Sequence, residues 1–319
     1  MTFELGTTDA NKLILNTTEI NKIQLGSTTV YDKTGGGGSS GWAQVGNAYQ
    51  KSGSNYGVSF PFGMSSSRVA LFDRNDNVLK AFSWDGTDFA EEGNDLTIGS
   101  DNNDNRMYSL SGTRVIYSNN GNAHQVYDYT SGVGWSAVGS SVSLGNDTVG
   151  YPVSSSRVIF HTRSVGLRMY TFNGSTWTQV GNTLSVSDDF QQQALCVLDS
   201  TLNAEVFLYY TDNGGNIEAY SFDGTNFTAS GNTYSAGNNN RFFMAHMGGN
   251  DFAYIGQAEE ILYKGTYSGG TFTIDTTNTL DLTAQQNISI SPLNGIQSPN
   301  TDVFVYSQTT GLKIYRYTP

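Results

Sequence analysis

Apolar and polar residues alternate in short bursts along almost the whole chain, and apolar residues nowhere recur at helical spacing. One set of bursts is RVALF, RVIYS, RVIFH, EVFLYY, FAYIG and DVFVY; a second set, VLKAFSW, HQVYDY, LRMYTF, IEAYSF, ILYKGTY and LKIYRY, follows it in turn. Val, Ile, Phe and Tyr between Gly, Asn, Asp and Ser are the marks of strands joined by turns. A third element is an aromatic that opens a strand with a small or polar end: GWAQVGN at Trp42, DFAEEGN at Phe89, GWSAVGS at Trp135, TWTQVGN at Trp177, NFTASGN at Phe227 and TFTIDTTN at Phe272. A fourth closes in a Ser/Gly-rich turn, as in SFPFGMSSS, RMYSLSG, GYPVSSS and RFFMAHMGG.

The aromatic openers stand 47, 46, 42, 50 and 45 residues apart. A period in the forties, with four strands in each repeat, predicts propeller blades. The strand that begins at Trp42 precedes any complete repeat, and the last one, LKIYRY, has no aromatic strand after it. The fold expected is therefore all-β: a six-bladed propeller closed by an N-terminal latch strand, with a linear β-solenoid as the alternative. Residues 1–30 divide into the decapeptides MTFELGTTDA, NKLILNTTEI and NKIQLGSTTV, each with an apolar pair before a polar turn. The domains expected are a small β-rich anchor module at 1–34, a Gly/Ser linker at 35–41 and the propeller at 42–319.

Charge narrows the partners. With 16 Lys+Arg against 28 Asp+Glu the net charge is −12 and the pI about 4.5, which excludes a basic nucleic-acid binder. One cysteine, Cys196, excludes an internal disulfide, so packing and strand ladders must hold the fold. The opening residues lack a leader pattern and no apolar run reaches membrane length, so the chain is expected to stay where it is made or to leave inside an assembled particle.

Enzyme chemistry finds no foothold, and no enzyme activity is expected. The turns SWDGTDF, TFNGSTW and SFDGTNF resemble the Asp-box of sialidase-like propellers, a structural device in which Asp85 and Asp223 brace turn amides. Arg68, Arg114 and Arg157 recur at one place in successive repeats, as blade-building residues do. His124, His161 and His246 lack metal-ligand spacing. Glu91 and Glu92 lie on opposite faces of a strand. The long irregular loops, which strand direction gathers on one rim, are the better candidates. There Tyr49, Tyr56 and Tyr234 offer rings for stacking on a sugar, and Asp73, Arg74, Asp76, Asp101, Asp104 and Asp212 offer polar groups for its hydroxyls. No cofactor is implied; Ca²⁺ is the metal for which Asp73, Asp76, Asp101 and Asp104 have the oxygen chemistry.

KLILNTTEINKIQLGSTTVYD, residues 11–32, resembles the N-terminal segment of phage-encoded virion structural proteins, of the form KLYLGSTEINKIYLGSTEVYD. It departs from that form at Asn16 and Gln24. The resemblance implies attachment to other virion proteins through residues 1–34, location in the virion, several copies per particle, and display of the propeller towards a host-surface glycan. A purely structural decoration or adaptor, and a propeller lectin or glycan-acting enzyme, are the alternatives.

Overall fold

Each period carries a gradient of hydrophobicity, and the gradient decides the layering. The strand Arg68–Asp73 is buried from its second residue to its last, as a strand covered on both faces must be, whereas Phe89–Thr97 is largely exposed. The computed structural model describes residues 13–15, 18–20, 22–25, 28–32, 41–49, 61–73, 76–98, 106–118, 123–145, 147–186, 195–199, 205–211, 215–237, 242–256, 260–282, 289–292, 302–307 and 311–318. All regular structure among them is β-strand.

Two units are distinct, residues 1–41 with 318–319, and residues 42–317. The first contains two hairpins, β1 (Leu13–Leu15) with β2 (Thr18–Ile20) and β3 (Lys22–Leu25) with β4 (Thr28–Asp32). Leu15 pairs with Thr18 and Leu25 with Thr28, so each connection has two residues, the commonest hairpin length.

In the second unit β5 (Gly41–Tyr49), whose first residue belongs to the first unit, comes first. Four-stranded sheets of consecutive strands follow: β6–β9 (Pro61–Ser65, Arg68–Asp73, Val78–Trp84, Phe89–Thr97), β10–β13 (Arg106–Ser111, Arg114–Ser118, Ala123–Thr130, Gly134–Ser143) and β14–β17 (Thr148–Ser154, Arg157–Thr162, Gly166–Phe172, Trp177–Leu184). The sheet β18–β22 (Leu195–Asp199, Glu205–Thr211, Asn216–Phe222, Phe227–Ala229, Tyr234–Ser235) has its outer strand in two pieces, both paired with β20. The sheet β23–β26 (Phe242–Gly248, Asp251–Gly256, Ile261–Ser268, Thr271–Asp281) is again four-stranded. The last sheet has the order β27 (Ser289–Pro292), β28 (Asp302–Ser307), β29 (Gly311–Thr318), β5, so its outer strand comes from the other end of the sequence.

The first strands of neighbouring sheets pack side by side, β6 on β10, β10 on β14, β14 on β18, β18 on β23, β23 on β27 and β27 on β6. This is a β-propeller. Aromatic pairs fill the wedges between sheets, among them Tyr210 stacked on Phe242 at 3.9 Å, each such pair adding about 0.5–1.5 kcal/mol beyond burial. Strand alternation puts the first-to-second turns and the third-to-fourth hairpins on one rim. They are joined there by bonds such as Trp84 N to Ser67 O and Phe172 N to Ser156 O. In the hairpins Asp85, Asn173 and Asp223 each accept the amides two and three residues on, the turn bracing expected of the Asp-box-like motif.

The glycine in the aromatic-strand motif does something other than end the strand. Gly46, Gly93, Gly139, Gly181 and Gly231 have φ between +64° and +78°, values that L residues seldom adopt. Gly93, Gly139, Gly181 and Gly231 each make a bulge, after which the outer strand resumes: Leu96 pairs with Leu79, Val142 with His124, Leu184 with Leu167 and Tyr234 with Ile217. The outer strand therefore continues past the glycine, to Tyr49, to Thr97 and through Tyr234–Ser235. The glycine also aims the next amide at the neighbouring sheet: Asn47 N bonds Thr87 O at 2.7 Å, Ser140 N bonds Ser175 O at 2.7 Å, Asn182 N bonds Thr225 O at 2.8 Å and Asn232 N bonds Gly270 O at 2.8 Å.

A Cβ on Gly139 would stand 2.7 Å from Ser175 O and 2.8 Å from the Phe172 ring, while one on Gly174, at φ +94°, would meet nothing within 4 Å. Gly174→Ala is expected to cost about 1–2 kcal/mol through backbone strain alone, and Gly139→Ala at least about 3 kcal/mol because the seam must also open. Denaturant midpoints of the two variants measure the difference; equal costs would contradict the docking role of the bulge.

Candidate functional site

What meets across each seam is set by two positions, the residue before the bulge and the aromatic that ends the third strand of the next sheet. In three seams the meeting is apolar: Val45 with Trp84, Val138 with Phe172 and Val180 with Phe222 share hydrophobic clusters. Elsewhere among the described residues the aromatic is a tyrosine and its hydroxyl donates to a polar partner. Tyr129 donates to Glu92 Oε2 at 3.0 Å, Tyr267 to Ser230 O at 2.6 Å, and Tyr317 to Asp275 Oδ2.

The seam between β6–β9 and β10–β13 has groups to spare. Arg68 lies opposite Ser83, and Ala81 lies opposite Glu92, so small residues of the third strand leave the arginine a path across the sheet. Arg68 Nε donates to Glu92 Oε2 at 3.1 Å, and the guanidinium carbon stands 5.0 Å from the centre of the Tyr129 ring. Burial, and next the bond to Glu92, push the Tyr129 phenol up to about 12, so it stays a donor at neutral pH. The side chains of Arg68 and Glu92 are 21% and 20% exposed. Both Nη atoms of Arg68 and Oε1 of Glu92 make no hydrogen bond among the described residues. A charged fork, a carboxylate oxygen and an aromatic ring side by side are the chemistry that hydroxyl-rich ligands require.

The seam between β23–β26 and the last sheet is knitted up instead. Lys264 Nζ lies 2.9 Å from Asp251 Oδ2 and donates to Thr266 Oγ1, which in turn bonds Asp251. Asp275 takes the Tyr317 hydroxyl, the Asn278 amide groups and Thr277 N, and the Tyr317 bond foremost holds its carboxyl well below the usual range.

Several expected site residues do other work. Tyr49 and Tyr234 lie in resumed outer strands, where pairing turns their rings into the seams. Tyr49 packs at 4.9 Å from Phe82 and 6.4 Å from Phe89, and the Tyr234 hydroxyl is 3.2 Å from that of Tyr254. Asp73 ends its strand wholly buried, while Asp76 is exposed in the following turn. Tyr56, Arg74, Asp101, Asp104 and Asp212 lie outside the described residues. Among the described residues no three His, Cys, Asp or Glu stand close enough to hold a metal. Arg114 makes the expected blade-building contact, a bidentate pair with Asp128 at 2.6 and 2.8 Å. Glu91 and Glu92 do face opposite ways, to Lys80 and Arg68. The part played by Glu92 and Tyr129 was missed, although the residue before each glycine, Val in three repeats and Glu or Ser in two, carried the signal.

No family model matches the sequence, and no curated protein matches it. Solved structures do resemble the fold. SapL1 lectin, in complex with alpha methyl fucoside, matches with a TM-score of 0.55 and 14% identity over 86% of this chain and 97% of that one. The Aleuria aurantia lectin, described as a six-bladed β-propeller with a novel fucose recognition mode, matches with a TM-score of 0.54 and 16% identity over 80% and 89%. The propeller domain of Cps50 (Swd1) from Myceliophteria thermophila matches with a TM-score of 0.50 and 10% identity over 86% and 99%. The likeness is one of fold.

Burial, and then the charge of Arg168, depress the pKa of His124 from 6.5 to about 3. The unfolded chain takes up this proton as the pH falls through 6.5, and the folded chain only near 3. Stability should therefore drop across that window by up to ~1.4 kcal/mol per pH unit from this residue. Subtracting the pH profile of His124→Gln from that of the native chain isolates the slope; parallel profiles would contradict the assignment.

Proposed function

We propose that the propeller binds carbohydrate, with Arg68, Glu92 and Tyr129 as the principal contacts at one seam. The observation that carries this reading is the set of unspent donors and acceptors on Arg68 and Glu92 beside an aromatic ring. The guanidinium fork addresses vicinal hydroxyls, the free carboxylate oxygen accepts from another, and the Tyr129 ring covers the apolar face of the sugar. The fucosides named with SapL1 and the Aleuria aurantia lectin make methyl α-L-fucoside the first probe.

In this reading the working unit is a six-bladed disc closed by residues 41–49. Its support is the strand order β27, β28, β29, β5 and the cluster in which Leu312 and Ile314 pack with Val69, Leu71, Phe82 and Trp84. Residues 1–34 attach the disc to a bacteriophage virion, as the decapeptide resemblance implies. Several tethered copies then raise weak single contacts to useful avidity.

The second reading is a decoration or adaptor that docks on another virion protein. An apolar face would favour it, and among the described residues the exposed large hydrophobics are Val133 and Val165.

Titration of the full chain with methyl α-L-fucoside, and a screen of host-surface polysaccharides, test the proposal. The native chain is expected to bind a sugar saturably, with Arg68→Gln and Glu92→Gln at least about tenfold weaker, a loss of ~1.4 kcal/mol. Arg114→Gln, whose partner lies within its own sheet, should bind as the native chain does. No binding to any sugar by a folded sample overturns the carbohydrate reading; binding unaffected by Arg68→Gln overturns the site.

A further inference from the structure

Asn-Gly pairs begin at Asn120, Asn173, Asn213 and Asn294, and Asn173 is the one of these that lies among the described residues. It opens the hairpin between β16 and β17, where Asn173, Gly174, Ser175 and Thr176 are all exposed. The amides of Ser175 and Thr176 donate to Asn173 Oδ1 at 2.9 and 2.8 Å. Gly174 N makes no hydrogen bond among the described residues, and a Cβ on Gly174 would meet nothing within 4 Å.

This arrangement suits one reaction. A backbone amide adds to the side-chain carbonyl of the preceding asparagine when its N–H can give up its proton, when no side chain hinders the approach, and when donors hold the charge that develops on the carbonyl oxygen. Here the Gly174 amide is uncommitted, glycine carries no side chain, and two amides already point at Asn173 Oδ1. Asp85 and Asp223 stand at the same place before Gly86 and Gly224 and accept the same pair of amides. Those amides hold the two carboxyls below the usual range, so at neutral pH both are carboxylates, which resist a nucleophile. Asn173 has the geometry without that protection.

We propose that Asn173 is a site of spontaneous deamidation, and that the reaction loosens one seam of the propeller. Gly174 N bonds to Asn173 Cγ, the Cγ–Nδ2 bond breaks, and Nδ2 leaves as ammonia with the Gly174 amide proton. Water then opens the cyclic imide, either at Cγ to give aspartate or at the backbone carbonyl carbon of residue 173 to give isoaspartate. Aspartate there reproduces the bracing of Asp85 and Asp223. Isoaspartate carries the main chain through the side-chain carbons, which lengthens the hairpin and removes the acceptor of the Ser175 and Thr176 amides. The Ser175 carbonyl takes the Ser140 amide of the neighbouring sheet at 2.7 Å, so a displaced hairpin weakens that bond. The inference does not depend on the carbohydrate reading.

The full chain is aged at mildly alkaline pH, folded and in denaturant, and the peptide that contains Asn173 is analysed for aspartate and isoaspartate. The folded chain is expected to convert at a rate within about tenfold of the denatured one. In the aged folded sample the Ser140 amide is expected to exchange with solvent at least about tenfold faster in the isoaspartate fraction, while Asn173→Asp keeps it as protected as in the fresh chain. Conversion more than about tenfold slower in the folded chain overturns the site. Isoaspartate that leaves Ser140 exchange unchanged overturns the effect on the seam, and fast Ser140 exchange in Asn173→Asp overturns its assignment to the rearranged backbone.

Discussion

The amide that follows Gly46, Gly139, Gly181 and Gly231, aimed at a hairpin carbonyl of the next sheet, is the contact on which the architecture turns. The fourth strand is the edge of its sheet, and an edge strand presents unpaired amides to water and to other chains. A positive φ at Gly46, Gly139, Gly181 and Gly231 rotates one amide out of the ladder and into the neighbour. The strand then regains its pairing. In one move an edge is partly closed and the angle between sheets is set, because the neighbour's hairpin fits only where no Cβ stands.

Around that contact the seams show two chemistries. Valine against Trp or Phe gives a dry seam whose stability comes from burial. Tyrosine against Glu92, Ser230 or Asp275 gives a polar one whose stability depends on completed hydrogen bonds. A polar seam that satisfies itself, as at Asp275, only holds the sheets together. One that leaves donors and acceptors over, as at Arg68 and Glu92, keeps its sheets together and has capacity for a ligand. The binding surface proposed here thus grows out of a structural joint.

Much of this was legible in the chain. The β-only pattern, the period in the forties, the turn-bracing roles of Asp85 and Asp223 and the opposed faces of Glu91 and Glu92 all follow from alternation and turn chemistry. The bulge was not, because a glycine that ends a strand and one that kinks it both require positive φ, and only the pairing beyond it tells them apart. That ambiguity moved Tyr49 and Tyr234 from seam to loop in the sequence reading. Asp73 was misplaced for a related reason: its strand runs one residue further than RVALF, and the extra residue is buried. The partnership of Arg68 with Tyr129 joins different periods, and repeat spacing alone does not say which side chains meet across a seam.

Hydrogen exchange under native conditions tests the seam geometry most directly, by comparing the amide of Asn47 with those of Ser140 and Asn182. All three donate to the next sheet's hairpin at 2.7 to 2.8 Å. If the same joint closes the ring, Asn47 is protected to within about tenfold of the other two, a difference of ~1.4 kcal/mol in opening free energy. Exchange of Asn47 at the rate of an unstructured amide, with Ser140 and Asn182 protected, would contradict the account.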